Sequence, residues 1–289
     1  MNYTIQNANL KVEISSLGAE LQSIKTADGA EYLYDGSGPW NERAPILFPV
    51  VGRLRNNEYT YRGKTYTMDI HGFARKKEFT AKQESDTKVI FTLCNDEDTL
   101  TNYPFKFRFD ITYELEGGTL SVKFDVKNTG KEEMYFSVGA HEAYCCPLTD
   151  DEKFEDYQII FEKKETANRR LVEKQLFTGD SKPILVNSEA LPLNYDDYAV
   201  DAIFMSDHTS RKATLIGTKS KKGVEVCFPG FPMLGIWTKP KAYAKYICIE
   251  PWYGIGDSVN HNGDLTAKEG IISMEAGKTF TLTHTIRPF

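Results

Sequence analysis

Regular alternation of apolar and polar residues runs through the middle of the chain and constrains its fold more than any other feature. In 105–115, FKFRFDITYEL, six apolar side chains fall on one face and five polar or charged ones on the other. The segment 120–128 repeats the pattern, and EGG at 116–118 is a tight-turn signal. Antiparallel strands with one buried face have this pattern, so we expect a β-hairpin here.

Further strands are predicted by KVIFTL (88–93), VEVCF (224–228), YICIE (246–250) and TFTLTHTI (279–286). Helix signals are scarce: 162–175 has a helical composition but only a poor apolar stripe. No linker or repeat of 20–50 residues interrupts the pattern. We therefore expect an all-β, mainly antiparallel sandwich or barrel with very little helix, formed as a single domain over 1–289.

Composition and charge narrow the classes of partner. The formal net charge of −6 argues against a nucleic-acid partner, which normally selects for a basic surface. No apolar run approaches the ~18 residues of a membrane helix. The first residues alternate like a strand and lack the basic and apolar regions of a signal peptide. The sequence therefore predicts a cytoplasmic protein without a membrane partner.

Motifs for metals, cofactors and several enzyme classes are absent. The five cysteines follow no CxxC or C…H spacing, so we expect reduced thiols, including the adjacent Cys145 and Cys146. The residues after His141 do not supply the His-x-His pair of a cupin-like site. Phosphate-binding glycine loops and the GxSxG elbow of serine hydrolases are missing as well. No metal or cofactor is predicted.

Two histidines occupy positions that an apolar strand would not favour. His71 precedes Gly72 and Phe73, and His141 ends the apolar run FSVGA. For each, a packed or hydrogen-bonded histidine is the alternative to a functional one. If His141 is functional, we expect Gly139 to clear space for a ligand beside it. The remaining histidines fit core or turn positions: His284, His208 and His261.

A third polar group, Glu250, follows the apolar strand residues of YICIE and precedes Pro251 and Trp252. A carboxylate beside an aromatic ring at a strand end is typical of sugar sites, since pyranose faces pack on aromatic rings while the hydroxyls need charged partners. The alternative is a surface glutamate at a strand terminus.

Eight segments together resemble the aldose 1-epimerase (galactose mutarotase-like) family, and especially its LacX-like branch. In chain order they are SSLGAELQSIK (15–25), W-x-x-R-APILFPVVGRL (40–54), HGFAR (71–75), YPFKF (103–107), FSVGAHEAY (136–144), DAIF (201–204), LGIWTK (234–239) and IEPWYG (249–254). The resemblance implies a β-supersandwich fold, an open sugar-binding groove, and interconversion of the α and β anomers of an aldose without a metal or organic cofactor.

The resemblance also assigns roles to individual residues. It implies that Glu250 is the general base and His141 the general acid. It further implies sugar-binding roles for His71, Arg53 and Asp201. We add two candidate sugar-binding residues from their sequence positions: Arg75, close behind His71, and Trp252, beside Glu250. The HEAYCCP segment differs from the paired histidine and aromatic residue that follow the acid in better-known galactose mutarotases, which leaves the sugar specificity open.

The chemistry explains why such a pair is needed. Mutarotation opens a cyclic hemiacetal and recloses it on the opposite face of the aldehyde, so one group removes the anomeric proton while another protonates the ring oxygen. A glutamate with a pKa near ~4.3 and a histidine with a pKa near ~6.5 suit these opposed tasks at neutral pH. We expect the carboxylate of Glu250 to raise the pKa of His141.

Three alternatives remain open from the sequence. A hexose-6-phosphate epimerase would share the fold and bind the phosphate through basic residues, for which the candidates are Arg43, Arg55, Arg75 and Lys239. A non-catalytic carbohydrate-binding protein would use the same groove without turnover. A glycosidase needs two carboxylates that flank the scissile bond, and Glu142 is the candidate partner for Glu250.

Overall fold

Antiparallel strands account for most of the chain in the computed structural model, which describes residues 1–289. The strands are, in order, β1 (Asn2–Gln6), β2 (Leu10–Ser15), β3 (Leu21–Thr26), β4 (Glu58–Tyr61), β5 (Lys64–Thr67), β6 (Thr80–Ser85), β7 (Lys88–Cys94), β8 (Phe107–Glu116), β9 (Thr119–Asn128), β10 (Met134–Phe136), β11 (Val138–Gly139), β12 (Glu142–Cys145), β13 (Tyr157–Glu173), β14 (Leu176–Pro192), β15 (Ile203–Met205), β16 (Lys212–Gly217), β17 (Gly223–Cys227), β18 (Met233–Trp237), β19 (Tyr246–Tyr253), β20 (Ile272–Met274) and β21 (Thr279–Pro288).

Helical structure is confined to short connections. The α-helix α1 (Glu97–Asn102) is six residues long. Single 3₁₀ turns cover Arg55–Asn57, Ala74–Lys76, Phe154–Asp156, Tyr195–Tyr198 and Leu265–Ala267. None of these helices combines the length and apolar character needed to cross a bilayer. The prediction of an all-β fold with very little helix is confirmed.

One large sheet of 14 strands dominates the architecture. Its order is β11-β19-β18-β15-β13-β16-β17-β21-β9-β8-β7-β6, with β12 also paired to β19 and β14 to β13. Smaller sheets are formed by β1-β2-β3, β4-β5 and β10-β20. In the large sheet, neighbouring strands pair antiparallel throughout, for example β18 with β19 and β8 with β9. The predicted antiparallel arrangement is therefore confirmed.

The predicted central hairpin is β8 and β9. These strands pair from Phe107 opposite Asn128 to Glu116 opposite Thr119. Gly117 in the turn has φ +54°, a left-handed conformation that glycine adopts without steric cost. The alternating apolar side chains of both strands are buried in the main hydrophobic core. Because a register slip of one residue would expose this face, the core fixes the pairing.

The segment 162–175 is mainly extended, although its composition is helical. Most of it belongs to β13, which pairs along its length with β14 and, at Tyr157–Phe161, with β16. Burial alternates at Glu165, Ala167 and Arg169, as expected for one face of a strand. Within this segment, pairing with β14 and, at Arg170, with β15 therefore overrides a weak helical propensity.

Strand β19 separates two apolar regions. Ile247 and Ile249 pack into the main core, whereas Tyr246 and Cys248 belong to a small cluster on the opposite face. Nearly every residue of β19 is buried because strands pair with both of its edges. Glu250 lies inside this strand, not at its end as the sequence suggested, and Pro251 and Trp252 continue it.

A buried polar pair joins the two halves of the large sheet. Glu142 of β12 and His284 of β21 are both buried, and the Nε2–Oε1 distance is 2.8 Å. His284 therefore occupies the core position with a hydrogen-bond partner that the sequence predicted. Each of these buried polar groups depends on the other. If one is removed, the remaining group has neither water nor a hydrogen-bond partner, and the folded state is destabilised.

We expect His284→Ala to lower the free energy of unfolding by about 3–5 kcal/mol, because it leaves Glu142 buried without a partner. Urea denaturation monitored by circular dichroism measures the change. The double variant Glu142→Leu/His284→Leu should recover much of the loss, since it removes both polar groups together. A cost below about 1 kcal/mol for the single variant would contradict this view of the pair.

Candidate active site

The register of β19 brings His141 beside Glu250. Gly139 of β11 pairs with Trp252 of β19, and Glu142 of β12 pairs with Ile249 of β19. The same antiparallel register places His141, in the gap between β11 and β12, directly across from Glu250. The distance between His141 Nε2 and Glu250 Oε2 is 3.3 Å. Two residues more than 100 positions apart in the sequence are therefore cross-strand neighbours.

Two glycines shape the space around this pair. Gly235 of β18 lies opposite Glu250, and a Cβ atom there would come within 3.3–3.5 Å of the Glu250 side chain. A Cβ atom at Gly139 would approach Trp252 Cδ1 to 2.9 Å. The prediction that Gly139 clears space for a sugar is therefore wrong, because the indole of Trp252 fills that space.

The pair is almost without solvent contact. The exposed fraction is 7% for His141 and 1% for Glu250, and neither His141 Nδ1 nor Glu250 Oε1 has a hydrogen-bond partner. Burial lowers the pKa of His141 to about 3, and the positive charge of Arg75 acts in the same direction. Burial also raises the pKa of Glu250 well above its usual value, helped by the charges of Asp201 and Glu142.

The prediction that Glu250 raises the pKa of His141 is therefore wrong in the free protein. Loss of solvation outweighs the attraction between the two groups, and each favours its neutral form. In the free pair, burial therefore favours a protonated carboxyl group on Glu250 and a neutral imidazole on His141.

His71 lies in the same pocket with its orientation fixed. Its ring is T-shaped to that of His141, with 5.5 Å between the ring centroids. The backbone N–H of Gly52 donates to His71 Nδ1 at 3.1 Å, so the neutral ring carries its proton on Nε2. Burial lowers the pKa of His71 well below its usual value, and the nearby cations reinforce the effect. His71 therefore offers an N–H donor without charge.

The remaining predicted sugar-binding residues also line this pocket. Arg53 donates through Nε to Gln175 at 2.6 Å and through Nη1 to Asn57 at 2.7 Å. Asp201 accepts one hydrogen bond from the N–H of Ala202, and burial raises its pKa. These bonds hold the two charged side chains in place while they still border the pocket.

Arg75 forms an ion pair with Glu42, which also accepts a hydrogen bond from Trp40 Nε1 at 3.2 Å. All three of these residues line the pocket. The guanidinium of Arg75 is thus already compensated by a carboxylate, which limits its capacity to bind a second anion.

All three tryptophans of the chain border the pocket, and two were missed by the sequence analysis. Trp40 and Trp237 are partly exposed, and the ring centroid of Trp40 lies 5.0 Å from that of His141. Trp252 is buried and packs on Phe204, so it forms the floor of the pocket instead of an open platform. Trp40 and Trp237 lie within the segments 40–54 and 234–239, which resemble the family, and this position could have identified them as pocket residues.

The pocket has a volume of about 430 Å³. This lies within the ~300–1,000 Å³ that is usual for small-molecule sites. Its wall combines aromatic faces with two histidines, three carboxylates and several cations. Such a lining suits a polyhydroxylated ligand with apolar faces, because both kinds of surface find a partner.

Other groups singled out in the sequence lie elsewhere. His208 and His261 are in irregular segments outside the pocket lining. All five cysteines are free, as predicted. Cys145 and Cys146 are largely shielded from water, and burial raises the pKa of both thiols, that of Cys145 to about 12. This environment argues against a reactive role for the adjacent pair.

Glu250→Gln should stabilise the protein at alkaline pH. The folded protein raises the pKa of Glu250, so the carboxyl contributes fully to stability below the unfolded pKa and loses that contribution as the pH rises through the folded pKa. We expect a gain of about 1–3 kcal/mol at pH 8 that shrinks toward zero at pH 4. Urea denaturation at both pH values measures it.

The exposed Glu275 provides the matched control, since Glu275→Gln removes a carboxylate that stays hydrated in the folded protein. A stability change for Glu250→Gln that is the same at pH 4 and pH 8 would contradict the burial argument.

Residues 1–273 match the family model for aldose 1-epimerase. Protein LacX of Lactococcus lactis subsp. lactis, in its plasmid and chromosomal forms, is 36% identical over 278 residues, which cover 93% of this chain and 93% of each relative. A galactose mutarotase related enzyme from Lactobacillus acidophilus superposes with a TM-score of 0.94 at 36% identity, covering 100% of this chain and 97% of that chain.

A galactose mutarotase-like protein from Lactobacillus casei has a TM-score of 0.94 at 32% identity, covering 100% of both chains. These similarities confirm the predicted galactose mutarotase-like β-supersandwich and the resemblance to the LacX-like branch. The chain is an isomerase that belongs to the aldose 1-epimerase family.

Proposed function

We propose that this protein interconverts the α and β anomers of an aldohexose, with Glu250 as general base and His141 as general acid. The observation that carries the proposal is the buried contact between these two side chains in the wall of the pocket. Membership of the aldose 1-epimerase family supports the reaction type. The identity of the sugar and the role of each residue belong to the proposal.

Ring opening needs two proton transfers. Glu250 accepts the proton of the anomeric hydroxyl while His141 donates a proton to the ring oxygen, and the bond between C1 and the ring oxygen breaks to leave an open-chain aldehyde. Rotation about the C1–C2 bond presents the other face of the carbonyl. Ring closure then reverses both transfers, so the pair ends in its starting state.

The electrostatics of the pocket match one stage of this cycle. After ring opening, Glu250 carries the proton and His141 is neutral. These are the forms that burial favours in the free protein. The pocket therefore stabilises the protonation state that accompanies the open-chain aldehyde. The energetic demand falls on forming the charged pair, which is needed before the ring opens and again when it closes.

Positioning groups surround the reacting atoms. His71 offers an N–H donor, Arg53 offers N–H donors held by Gln175 and Asn57, and Asp201 offers carboxylate oxygens that accept hydrogen bonds from sugar hydroxyl groups. Trp40 and Trp237 supply apolar surface for the sugar ring. Holding the sugar in one orientation lowers the entropic barrier without contributing a proton.

A hexose 6-phosphate is the second candidate substrate. Lys174 and Lys239 are exposed cations in the pocket lining, so a phosphate at the rim has ammonium partners. Among the other proposed phosphate ligands, Arg43 donates to Gln22 O and Arg55 to His261 O, and both lie outside the lining.

A glycosidase would need a second carboxylate beside the scissile bond, and Glu142 does not provide it. Glu142 is buried, bonds to His284 and lies outside the pocket lining. It cannot flank a glycosidic bond together with Glu250, as that mechanism requires.

Polarimetry on freshly dissolved α-D-galactose and α-D-glucose tests the proposal. We expect the protein to accelerate the approach to anomeric equilibrium, and His141→Ala and Glu250→Gln each to reduce kcat by about 10²–10⁴-fold. Sugar affinity should change only a few-fold. It can be read from tryptophan fluorescence because every tryptophan borders the pocket. Comparing the rates on glucose and glucose 6-phosphate in the same assay discriminates between the free and the phosphorylated sugar as substrate.

His261→Ala is the matched histidine control, because this residue lies outside the pocket. Sugar binding without acceleration would identify a non-catalytic binding protein. Full activity in Glu250→Gln would refute the assignment of the base.

The pH dependence of kcat/KM gives an independent test. The pair is competent while it holds one proton in total, which requires a pH above the pKa of His141 and below that of Glu250. Because burial lowers the pKa of His141 to about 3, activity should stay flat as the pH falls from 7 to about 4.5. It should decline on the alkaline side, where Glu250 ionises. An acid limb centred near 6.5 would contradict this account.

A further inference from the structure

A thiol lies beside the proposed acid–base pair and has no part in the proposed reaction. Candidate donor atoms of His141, Cys248 and Glu250 all lie within 4.8 Å of one another. All three residues are buried, Cys248 completely. Short metal-binding motifs do not record this set, because Cys248 and Glu250 are alternate residues of β19 while His141 comes from the distant segment between β11 and β12.

Strand geometry explains why the three side chains meet. Cys248 and Glu250 are two residues apart on β19, so they project from the same face of the sheet. Cys248 pairs with Ala143 on one side and Trp237 on the other. The small side chain at Ala143 leaves the thiol next to His141, while the larger aromatic ring of Trp237 covers it from the pocket.

The donor set suits a borderline or soft cation. Nitrogen, sulfur and one carboxylate oxygen are ligands of Zn²⁺, at bond lengths of about 2.0–2.3 Å. In a tetrahedral site such ligand atoms lie about 3.3–3.8 Å apart. The Nε2–Oε2 distance of 3.3 Å already fits, and a shift of about 1 Å by the thiol would complete the set. Hard cations such as Mg²⁺ prefer oxygen ligands and gain little here.

The cluster contains buried polar atoms without hydrogen-bond partners and has a route of entry for an ion. His141 Nδ1 and Glu250 Oε1 are buried without hydrogen-bond partners. His141 and Glu250 also border the pocket, so an ion reaches them from the pocket side. Three protein ligands leave a fourth position open toward the pocket, as in zinc sites that keep one exchangeable ligand.

We propose that His141, Cys248 and Glu250 form a site for a thiophilic divalent cation such as Zn²⁺, and that the bound ion inhibits the enzyme. The ion occupies the lone pairs that the proposed reaction needs on both His141 and Glu250, so neither group can exchange a proton with the sugar. This regulation rests on the proposed function, whereas the metal site itself does not.

Metal binding is measured directly on the purified protein. Isothermal titration with Zn²⁺ should show one ion per chain, and titration with Co²⁺ should give the intense near-ultraviolet band of thiolate-to-cobalt charge transfer. Cys248→Ser should weaken Zn²⁺ binding at least 10-fold and abolish that band. Cys94→Ser is the matched control, because Cys94 is an exposed thiol on β7, and it should leave both signals unchanged.

Inhibition is measured with the same proteins by polarimetry. Stoichiometric Zn²⁺ should suppress the wild-type rate and EDTA should restore it. Cys248→Ser should keep the basal rate within a few-fold and resist Zn²⁺ at concentrations that inhibit the wild type. Cys248→Ala serves the same purpose if serine is poorly tolerated in the apolar surroundings.

The outcomes separate the two proposals. Equal Zn²⁺ affinity in wild type and both Cys248 variants, or no thiolate band with Co²⁺, would overturn the metal site even if the enzyme is active. Binding that depends on Cys248 in a protein without mutarotase activity would support the site and remove the proposed function. Binding through Cys248 that leaves the rate unchanged would overturn the inhibition.

Discussion

The register of β19 is the constraint on which the site depends. Because side chains alternate along a strand, Ile247 and Ile249 enter the main core while Cys248 and Glu250 lie on the opposite face, where Glu250 lines the pocket. The same register aligns His141 with Glu250 across the strand pair. A shift by one residue would place the carboxylate in the apolar core, so the packing that stabilises the fold also positions the proposed catalytic pair.

Burial gives this pair its chemical character and makes it costly. Both groups lose hydration, and their unpartnered atoms gain no hydrogen bond in return. The surrounding sheet supplies the stability that holds them in place, and Gly235 provides the space for the carboxylate. The same dry environment strengthens the electrostatic response to a proton transfer. A site of this kind trades stability for reactivity.

Much of the fold could be predicted from the sequence, but the site only in part. Alternation at 107–116 and 119–128 directly indicated β8 and β9, whereas the polar stretch 162–175 depended on pairing with β14, which is a tertiary effect. The family resemblance assigned His141, Glu250 and His71 to one sugar site. It did not indicate that Trp252 fills the space at Gly139, or that burial lowers the pKa of His141, because both depend on packing between distant segments.

The account is tested most directly by an NMR titration of the histidine ring nitrogens in ¹⁵N-labelled protein, with His141 assigned by the resonances lost in His141→Ala. The central claim is that a buried, neutral His141 shares one proton with Glu250. The account predicts that the His141 ring stays neutral from pH 8 down to about 4 in the free protein. A titration midpoint near 6.5 would show a hydrated or charge-compensated imidazole and would contradict the proposed arrangement of the site.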